Sequence, residues 1–250
     1  MTTTHWAARS LNWGRNGPPL QPNQEVIDCF TGLIPTTSNI LLLGVTPQIA
    51  NAYTHVTAVD REPAMIKNVW PGNTETKRAI NDNWLSVDLP NNYFSGIIGD
   101  GSINMLAHDA KAMLDRSYSL LRTHGVFACR MFTRPDRPVA LERIKQEAKQ
   151  PTMNFSAFRR LLPMYIAEQG NPIVPVRQIT ELFDQLFSDR STLPWTAEEL
   201  ITIDDYRSSD ATTWFPTRSE LLEIAPTGSK FIDAGTYDIA ITCPILTFTK

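Results

Sequence analysis

The sequence predicts an α/β fold: a doubly wound, mostly parallel seven-stranded sheet that ends in an antiparallel hairpin, with a helical cap inserted after the fifth strand. Short apolar runs alternate with helical segments up to residue 132, and further closely spaced strands end the chain. Strands so closely spaced cannot be parallel neighbours joined by a helix, so we expect a hairpin. We expect a single domain, 1–250, with an N-terminal arm at 1–38, a sheet core at 39–133 and 225–250, and the cap insertion at 134–224.

The stretch 39–60 is the unit around which the rest of the chain is arranged. An aliphatic run at 40–43 ends in Gly44, which is typical of a strand buried on both faces of a parallel sheet. Pro47 can open a helix, since its missing N–H would be unpaired there anyway. A second strand at 56–59 then delivers Asp60 to its C-terminal tip. The pattern predicts a nucleotide-sized crevice, with an acid placed to accept hydrogen bonds from both ribose hydroxyls.

The next two elements place further candidates at the same edge. A helix begins near Glu62-Pro63 and turns Met65 back toward the crevice. The third strand, at about 77–80, leads into Asn81-Asp82-Asn83-Trp84. These amides, the carboxylate and the flat ring could hold a purine. Ordinary turn chemistry explains the two asparagines equally well.

The fourth and fifth strands complete the parallel part of the sheet. Ile97-Ile98 predicts a buried strand, and Asp100-Gly101 predicts a turn at its C-terminal end. Ser102 or Asn104 is expected to cap the helix that follows. The fifth strand is expected at 126–132.

Composition excludes several classes of protein. The net charge of −3 gives no basic surface, which argues against a dedicated nucleic-acid binder. The three cysteines have neither a disulfide pattern nor zinc-ligand spacing, so we expect a cytoplasmic protein without a metal. We expect no signal peptide and no membrane span, because the chain start lacks the signal pattern and apolar runs are short.

Several of these stretches together resemble the class I S-adenosylmethionine (SAM)-dependent methyltransferases. The resemblance covers about 39–132 and the C-terminal hairpin, and implies methyl transfer from SAM with S-adenosylhomocysteine (SAH) as product. The stretches that carry it are Leu43-Gly44, Asp60, Asp82-Asn83-Trp84, Gly99-Asp100-Gly101-Ser102 and Leu121-Arg122-Thr123-His124-Gly125-Val126.

The resemblance also implies a set of cofactor-binding residues. The first loop would pass under the methionine part, Asp60 would hold the ribose, the turn at 82–84 would hold adenine, and Asp100 and Gly101 would line the floor beside the sulfonium. The full set is Gly44, Val45, Thr46, Pro47, Asp60, Arg61, Met65, Asp82, Asn83, Trp84, Asp100 and Gly101.

The first loop departs from the family's Gly-x-Gly-x-Gly pattern, because only Gly44 is present. Thr46 could offer its hydroxyl to the cofactor's carboxylate. A nicotinamide-dependent oxidoreductase fits less well, since Thr46 and Ile49 replace glycines that pyrophosphate binding requires. The leading interpretation is methyl transfer to an unidentified small molecule. The alternative is a methyltransferase-like protein that binds SAM or SAH without turnover.

The region 134–224 is expected to be helical, without strands. Asn154 is predicted to cap one helix and Pro175 to open another, and Thr196 and Thr217 begin capping-box patterns. We expect 154–188 to build the acceptor pocket. Strands are predicted in the tail at 231–232, 237–242 and 245–249, with the turn at Cys243-Pro244.

The sequence assigns no catalytic residue. Histidines 5, 55, 108 and 124 lack metal-ligand spacing, and His108 is the best placed of them for a base. Tyr165 and Arg159-Arg160 are substrate-side candidates by position, although adjacent arginines usually form a solvated face. In the arm, Trp13 and the Pro18-Pro19 turn either cover the outside of the domain or close over the crevice.

Overall fold

A computed structural model of the protein describes residues 5–135 and 137–250. Within these residues the strands are β1 (Asn39–Leu43), β2 (His55–Asp60), β3 (Lys77–Asn81), β4 (Phe94–Asp100), β5 (Leu121–Arg130), β6 (Ile173–Pro175), β7 (Thr212–Trp214), β8 (Lys230–Ile232) and β9 (Ile245–Thr249). The α-helices are α1 (His5–Leu11), α2 (Gln24–Leu33), α3 (Pro47–Ala52), α4 (Pro63–Asn68), α5 (Ala110–Leu120), α6 (Leu141–Lys149), α7 (Phe155–Glu168), α8 (Arg177–Leu186), α9 (Ala197–Leu200) and α10 (Arg218–Ile224).

The main sheet has seven strands in the order β3-β2-β1-β4-β5-β9-β8. Strands β1 to β5 pair in parallel, and β9 is antiparallel to both β5 and β8. The predicted fold class is therefore confirmed. The strand order reverses between β1 and β4, and ligands of open α/β sheets bind outside the carboxyl ends of the strands at such a point.

The aliphatic run of β1 is explained by its central place. It pairs with β2 on one side and β4 on the other, and its residues Ile40 to Leu43 are at most 2% exposed. Because side chains alternate along a strand, Ile40 and Leu42 pack with α2 and α3, whereas Leu41 and Leu43 pack with α5.

The region between β5 and β8 forms a mainly helical unit with its own core, as expected. That core contains a cluster of aromatic rings, including Phe155, Phe158, Phe183 and Trp195. Asn154 caps α7 by accepting a hydrogen bond from the Ala157 N–H, and both predicted capping boxes are present.

The expectation that this region lacks strands is wrong. Strands β6 and β7 pair antiparallel, with Ile173 opposite Trp214 and Pro175 opposite Thr212. Pro175 ends β6 instead of opening a helix, and α8 begins at Arg177. A proline is tolerated in so short a pair because both strands are edges.

The tail also differs in detail from its prediction. The hairpin consists of β8 and β9, whereas 237–242 lies in the loop between them and ends in a 3-10 turn, Ala240–Thr242. Ile239 has a left-handed backbone with φ 55°, which is incompatible with an extended strand.

Two side chains predicted to cap the helix after β4 have other partners. Ser102 donates its hydroxyl to the Leu43 carbonyl (2.6 Å), and Asn104 donates its amide to the carbonyls of Phe132 and Trp214. Two 3-10 turns, Ile103–Met105 and Ala107–Asp109, precede α5. No helix in the described part of the chain is long and apolar enough to cross a membrane.

Candidate functional site

A cavity of about 720 Å³, including its mouth, lies at the carboxyl ends of β1, β2 and β4. Every residue that the sequence predicts for cofactor binding lines this first cavity, except Pro47. Pro47 begins α3, just behind the loop residues Val45 and Thr46. The predicted set is thus brought together at one place by the parallel order of the strands.

The loop after β1 brings bare backbone to the cavity. Gly44 has φ 107°, a conformation that other residues rarely adopt. Its N–H donates to the Val59 carbonyl (2.9 Å), which ties the loop to the end of β2. A Cβ added at Gly44 would lie 3.9 Å from Oδ2 of Asp60. The backbone of the first loop and the carboxylate of the second therefore face each other.

Asp60 is a half-buried carboxylate at the tip of β2. Its Oδ1 accepts a hydrogen bond from the Glu62 N–H (2.9 Å), which orients the group. Burial raises the pKa of Asp60 to about 6, although the Glu62 N–H opposes this shift. The carboxylate therefore ionises close to neutral pH.

The turn after β3 forms one end of the first cavity. The Trp84 indole N–H donates to the Val59 carbonyl (2.5 Å), which fixes the ring, and the Asn83 side chain accepts from the Leu85 N–H (3.0 Å). Asn81 is not part of the lining; it donates to the Asp60 carbonyl (2.9 Å). Turn chemistry thus accounts for Asn81, whereas Asn83 combines its turn contact with a cavity position.

The N-terminal arm covers the first cavity with two tryptophans, Trp6 and Trp13. The Arg9 guanidinium lies 5.4 Å from the ring centre of Trp6 and 5.9 Å from that of Trp13. Trp13 thus lies over the crevice. The Pro18-Pro19 turn is not part of the lining of the first cavity; the Pro19 carbonyl accepts a hydrogen bond from Arg130 (2.8 Å).

A second cavity of about 600 Å³ adjoins the first. The two share Trp6, Trp13, Asp100, Gly101 and Met105 as walls. The arm and the helical cap complete the second cavity with polar and aromatic side chains that include His5, Arg9, Arg160 and Tyr206, and Phe132, just after β5, also lines it.

The substrate-side candidates divide between this cavity and the protein core. The expectation of a solvated face for Arg159 and Arg160 is wrong, because they are only 1% and 6% exposed. Arg159 donates to the carbonyl and hydroxyl of Thr202 and to the Asn16 side chain, whereas Arg160 lines the second cavity. Tyr165 packs against the cap core, and His108 is exposed outside both cavities.

His5 was not singled out by the sequence, yet it lies in the second cavity. Its Nδ1 is 3.0 Å from the Ser209 hydroxyl. Burial, assisted by the charge of Arg9, lowers the pKa of His5 to about 3, so the ring is neutral at pH 7. In the described residues, no group of three or more histidine, cysteine, aspartate or glutamate side chains could hold a metal ion.

Three solved structures resemble nine-tenths or more of the chain. A candidate Zn-dependent alcohol dehydrogenase from Rhodobacter sphaeroides superposes with a TM-score of 0.64 at 12% identity, over 99% of each chain. A candidate SAM-dependent methyltransferase from Listeria monocytogenes superposes with a TM-score of 0.50 at 12% identity, over 90% of this chain and 98% of that one. A SAM-dependent methyltransferase from Mesorhizobium loti gives 0.50 at 11% identity over the same shares.

No protein-family model and no curated protein sequence matches the chain. At these identities the likeness concerns the fold alone. In a dinucleotide-binding sheet the strands of the second half are parallel, whereas here β9 lies between β5 and β8 and is antiparallel to both. The chain has the fold of the class I SAM-dependent methyltransferases.

Proposed function

We propose that the protein binds SAM in the first cavity and transfers its methyl group to a small molecule, as a single cytoplasmic domain. The observation that carries the proposal is that backbone at Gly44, the Asp60 carboxylate and the Trp84 ring line one cavity of this fold. The cysteines of the described residues are free thiols, which suits a reducing compartment.

The residues present fit the cofactor. The positive φ of Gly44 allows the backbone to approach the methionine part closely, and Thr46 adds a hydroxyl. Asp60 would accept hydrogen bonds from the ribose, while Trp84 and Asn83 would contact adenine by its face and edge. When bound, SAM supplies an electrophilic methyl group on a sulfonium, so the protein need supply little beyond alignment.

What the protein contributes is positioning and exclusion of water. The arm places Trp6 and Trp13 over both cavities, so an acceptor in the second cavity would lie next to the reactive group. Asp100 and Gly101 form part of the wall between them.

A binding protein without turnover is the second candidate. It is favoured by the replacement of the later loop glycines by larger residues, since Thr46 and Gln48 stand where the family has glycine. Loss of close backbone approach would reduce cofactor affinity or misplace the methyl group.

The two candidates are separated by binding followed by transfer. Isothermal titration of the protein with SAH should show one site, and NAD should show none. SAM carrying a labelled methyl group would then be incubated with a panel of small acceptors. Absence of SAH binding would overturn both candidates, and binding without transfer to any acceptor would favour the second.

A further inference from the structure

One side chain in the second cavity carries a charge that the fold leaves without a matching partner. Arg160 is 6% exposed and lines the cavity, and its Nε and Nη2 atoms are buried without a hydrogen-bond partner. Buried polar groups are nearly always hydrogen-bonded, and a buried charge is usually paired.

Two aromatic rings pack against this guanidinium. Its central carbon lies 3.9 Å from the ring centre of Phe132 and 4.6 Å from that of Phe215. Stacking satisfies the faces but leaves the N–H groups, which point outward in the plane. The unmet donors of Arg160 therefore require an acceptor that approaches edge-on.

The electrostatic surroundings of Arg160 do not provide that acceptor. Besides burial, the groups that influence its pKa are Tyr206, Cys243, Arg9 and Arg159, none of which is a carboxylate. Burial, assisted by the charges of Arg9 and Arg159 and opposed by Tyr206 and Cys243, lowers the pKa of Arg160 to about 10, so the side chain stays charged at pH 7.

Asp100, which lines this cavity, and Asp205, which precedes the lining residue Tyr206, provide no acceptor for Nε and Nη2 of Arg160. Asp100 is paired with Arg130. Asp205 accepts from the Asn12 amide (2.7 Å) and interacts electrostatically with Arg159 and Arg9. The charged residues among the cavity's lining are Arg9, Arg160 and Asp100, and Asp100 is neutralised by Arg130, so the lining carries a net positive charge.

The other walls of the second cavity are mostly apolar. Leu20, Met105, Val176 and Ile179 lie around it, together with the rings of Trp6 and Trp13. Phe132 contacts Arg160 on one side and packs against Gly101, where an added Cβ would meet its ring at 2.6 Å. The ring of Phe132 therefore lies between the guanidinium of Arg160 and Gly101, which is part of the wall between the two cavities.

We propose that the second cavity binds a small apolar molecule through a carboxylate held edge-on by Arg160, and that this molecule is the methyl acceptor. The identification of the ligand as the acceptor depends on the proposed function, whereas the anion site does not. Two parallel N–H···O bonds from a planar guanidinium match a carboxylate, and they are stronger than neutral hydrogen bonds. The carboxylate serves as the anchor of the acceptor.

The test compares matched ligands on the whole protein. Binding of benzoate, phenylacetate and indole-3-acetate would be measured by calorimetry against the corresponding neutral amides, with and without SAH. We expect at least one carboxylate to bind at least about tenfold more tightly than its amide, because hydrogen bonds to a charged acceptor are stronger than those to a neutral one. Equal binding of carboxylates and amides would overturn the proposal, and this comparison needs no variant.

Three variants locate the site. Arg160→Met should lose the preference for the carboxylate, and Arg160→Lys should keep part of it, because lysine retains the charge without the planar fork. Arg177→Met is the matched control, since Arg177 is an exposed arginine of the cap (54%) whose loss should change nothing. SAH affinity should be unchanged in all three, which shows that each is folded.

The outcomes separate this proposal from the proposed function. Carboxylate binding that depends on Arg160 in a protein that fails to bind SAH would confirm the anion site and remove the methyltransferase function. Normal SAH binding with Arg160→Met indistinguishable from wild type would overturn the anion site alone. Tighter binding of phenyl phosphate than of every carboxylate would reassign the site to phosphates.

Discussion

Arg130 and Asp100 face each other in register at the ends of β5 and β4 and form a buried ion pair with two hydrogen bonds, 2.5 and 3.0 Å long. Their side chains are 0% and 5% exposed. Arg130 also donates to the Pro19 carbonyl and the Tyr237 hydroxyl (3.1 Å), which links the sheet to the arm and the tail. The carboxylate shared by the two cavities is thus held by a cation and is poorly suited to act as a base.

Removing one partner of this ion pair should destabilise the fold more than removing both partners. Arg130→Met leaves an unpaired buried carboxylate, so the free energy of unfolding should fall by about 3–5 kcal/mol. The double variant Arg130→Met with Asp100→Asn removes both charges, so its free energy of unfolding should fall less than that of Arg130→Met alone. Urea unfolding of the wild type, the two single variants and the double variant measures each step. A double variant as unstable as the sum of its singles would contradict this interpretation.

The second prediction concerns the role of Asp60 in cofactor binding. Asp60→Ala should weaken SAH binding by about 1.5–3 kcal/mol, because charge-assisted bonds to the ribose hydroxyls are lost. The domain should stay folded, since the half-buried side chain contributes little to the core. Asp88→Ala is the control, because Asp88 is an exposed aspartate in the same part of the chain. Unchanged SAH affinity in a folded Asp60→Ala protein would remove Asp60 from the site.

The raised pKa of Asp60 predicts opposite pH effects on binding and on stability. SAH affinity should rise between pH 5 and 7, as the carboxylate ionises around its pKa of about 6. The ligand-free fold prefers the protonated form, so its contribution to stability is fully present below the unfolded-state pKa of about 3.9 and is lost as pH rises through 6.

Measuring SAH affinity and stability against pH for Asp60→Asn separates the effect of this carboxylate from the effects of other groups that titrate in the same pH range. The variant should lose the pH dependence that Asp60 contributes to both quantities. If the wild type and Asp60→Asn show the same pH profile for SAH affinity, the carboxylate does not ionise as described.

The first cavity could be predicted from sequence because its signals are local. Gly44 directly follows an aliphatic run, and Asp60 and Trp84 follow the next two strands, so parallel order alone places them at one edge. Arg130 offered a weak signal, as a charged residue within an apolar strand, but its partner could not be inferred without the register between β4 and β5.

The second cavity could not be predicted, because long-range packing assembles it. His5 and Arg9 come from the arm, whereas Arg160 and Tyr206 come from the cap. Neighbouring arginines in a sequence look alike, and only the packing of α7 shows that both Nη atoms of Arg159 have hydrogen-bond partners whereas Nε and Nη2 of Arg160 have none. Strands β6 and β7 are equally hard to predict, since three residues each show no periodicity.

The last prediction concerns the motion of the cap segment 154–188. Its helix α7 contains Pro163, which lacks the N–H that would donate to the Arg159 carbonyl, so the helix is weakened beside Arg160. Strand β1, in contrast, is hydrogen-bonded on both sides. We therefore expect amides of 154–188 to exchange faster than those of 40–43 in the free protein, because parts of a fold that move with ligands are drawn from its less stable regions.

Hydrogen exchange followed by mass spectrometry would be run on the free protein, with SAH, and with SAH plus the tightest-binding carboxylate. The carboxylate should slow exchange across 154–188, since Arg160 and two further lining residues of that segment, Val176 and Ile179, would contact it. Arg160→Met should lose this second slowing while keeping the effect of SAH on the first cavity. If 154–188 were as protected as 40–43 and unaffected by either ligand, the segment would be structural packing, and the acceptor pocket would have to be sought in the N-terminal arm.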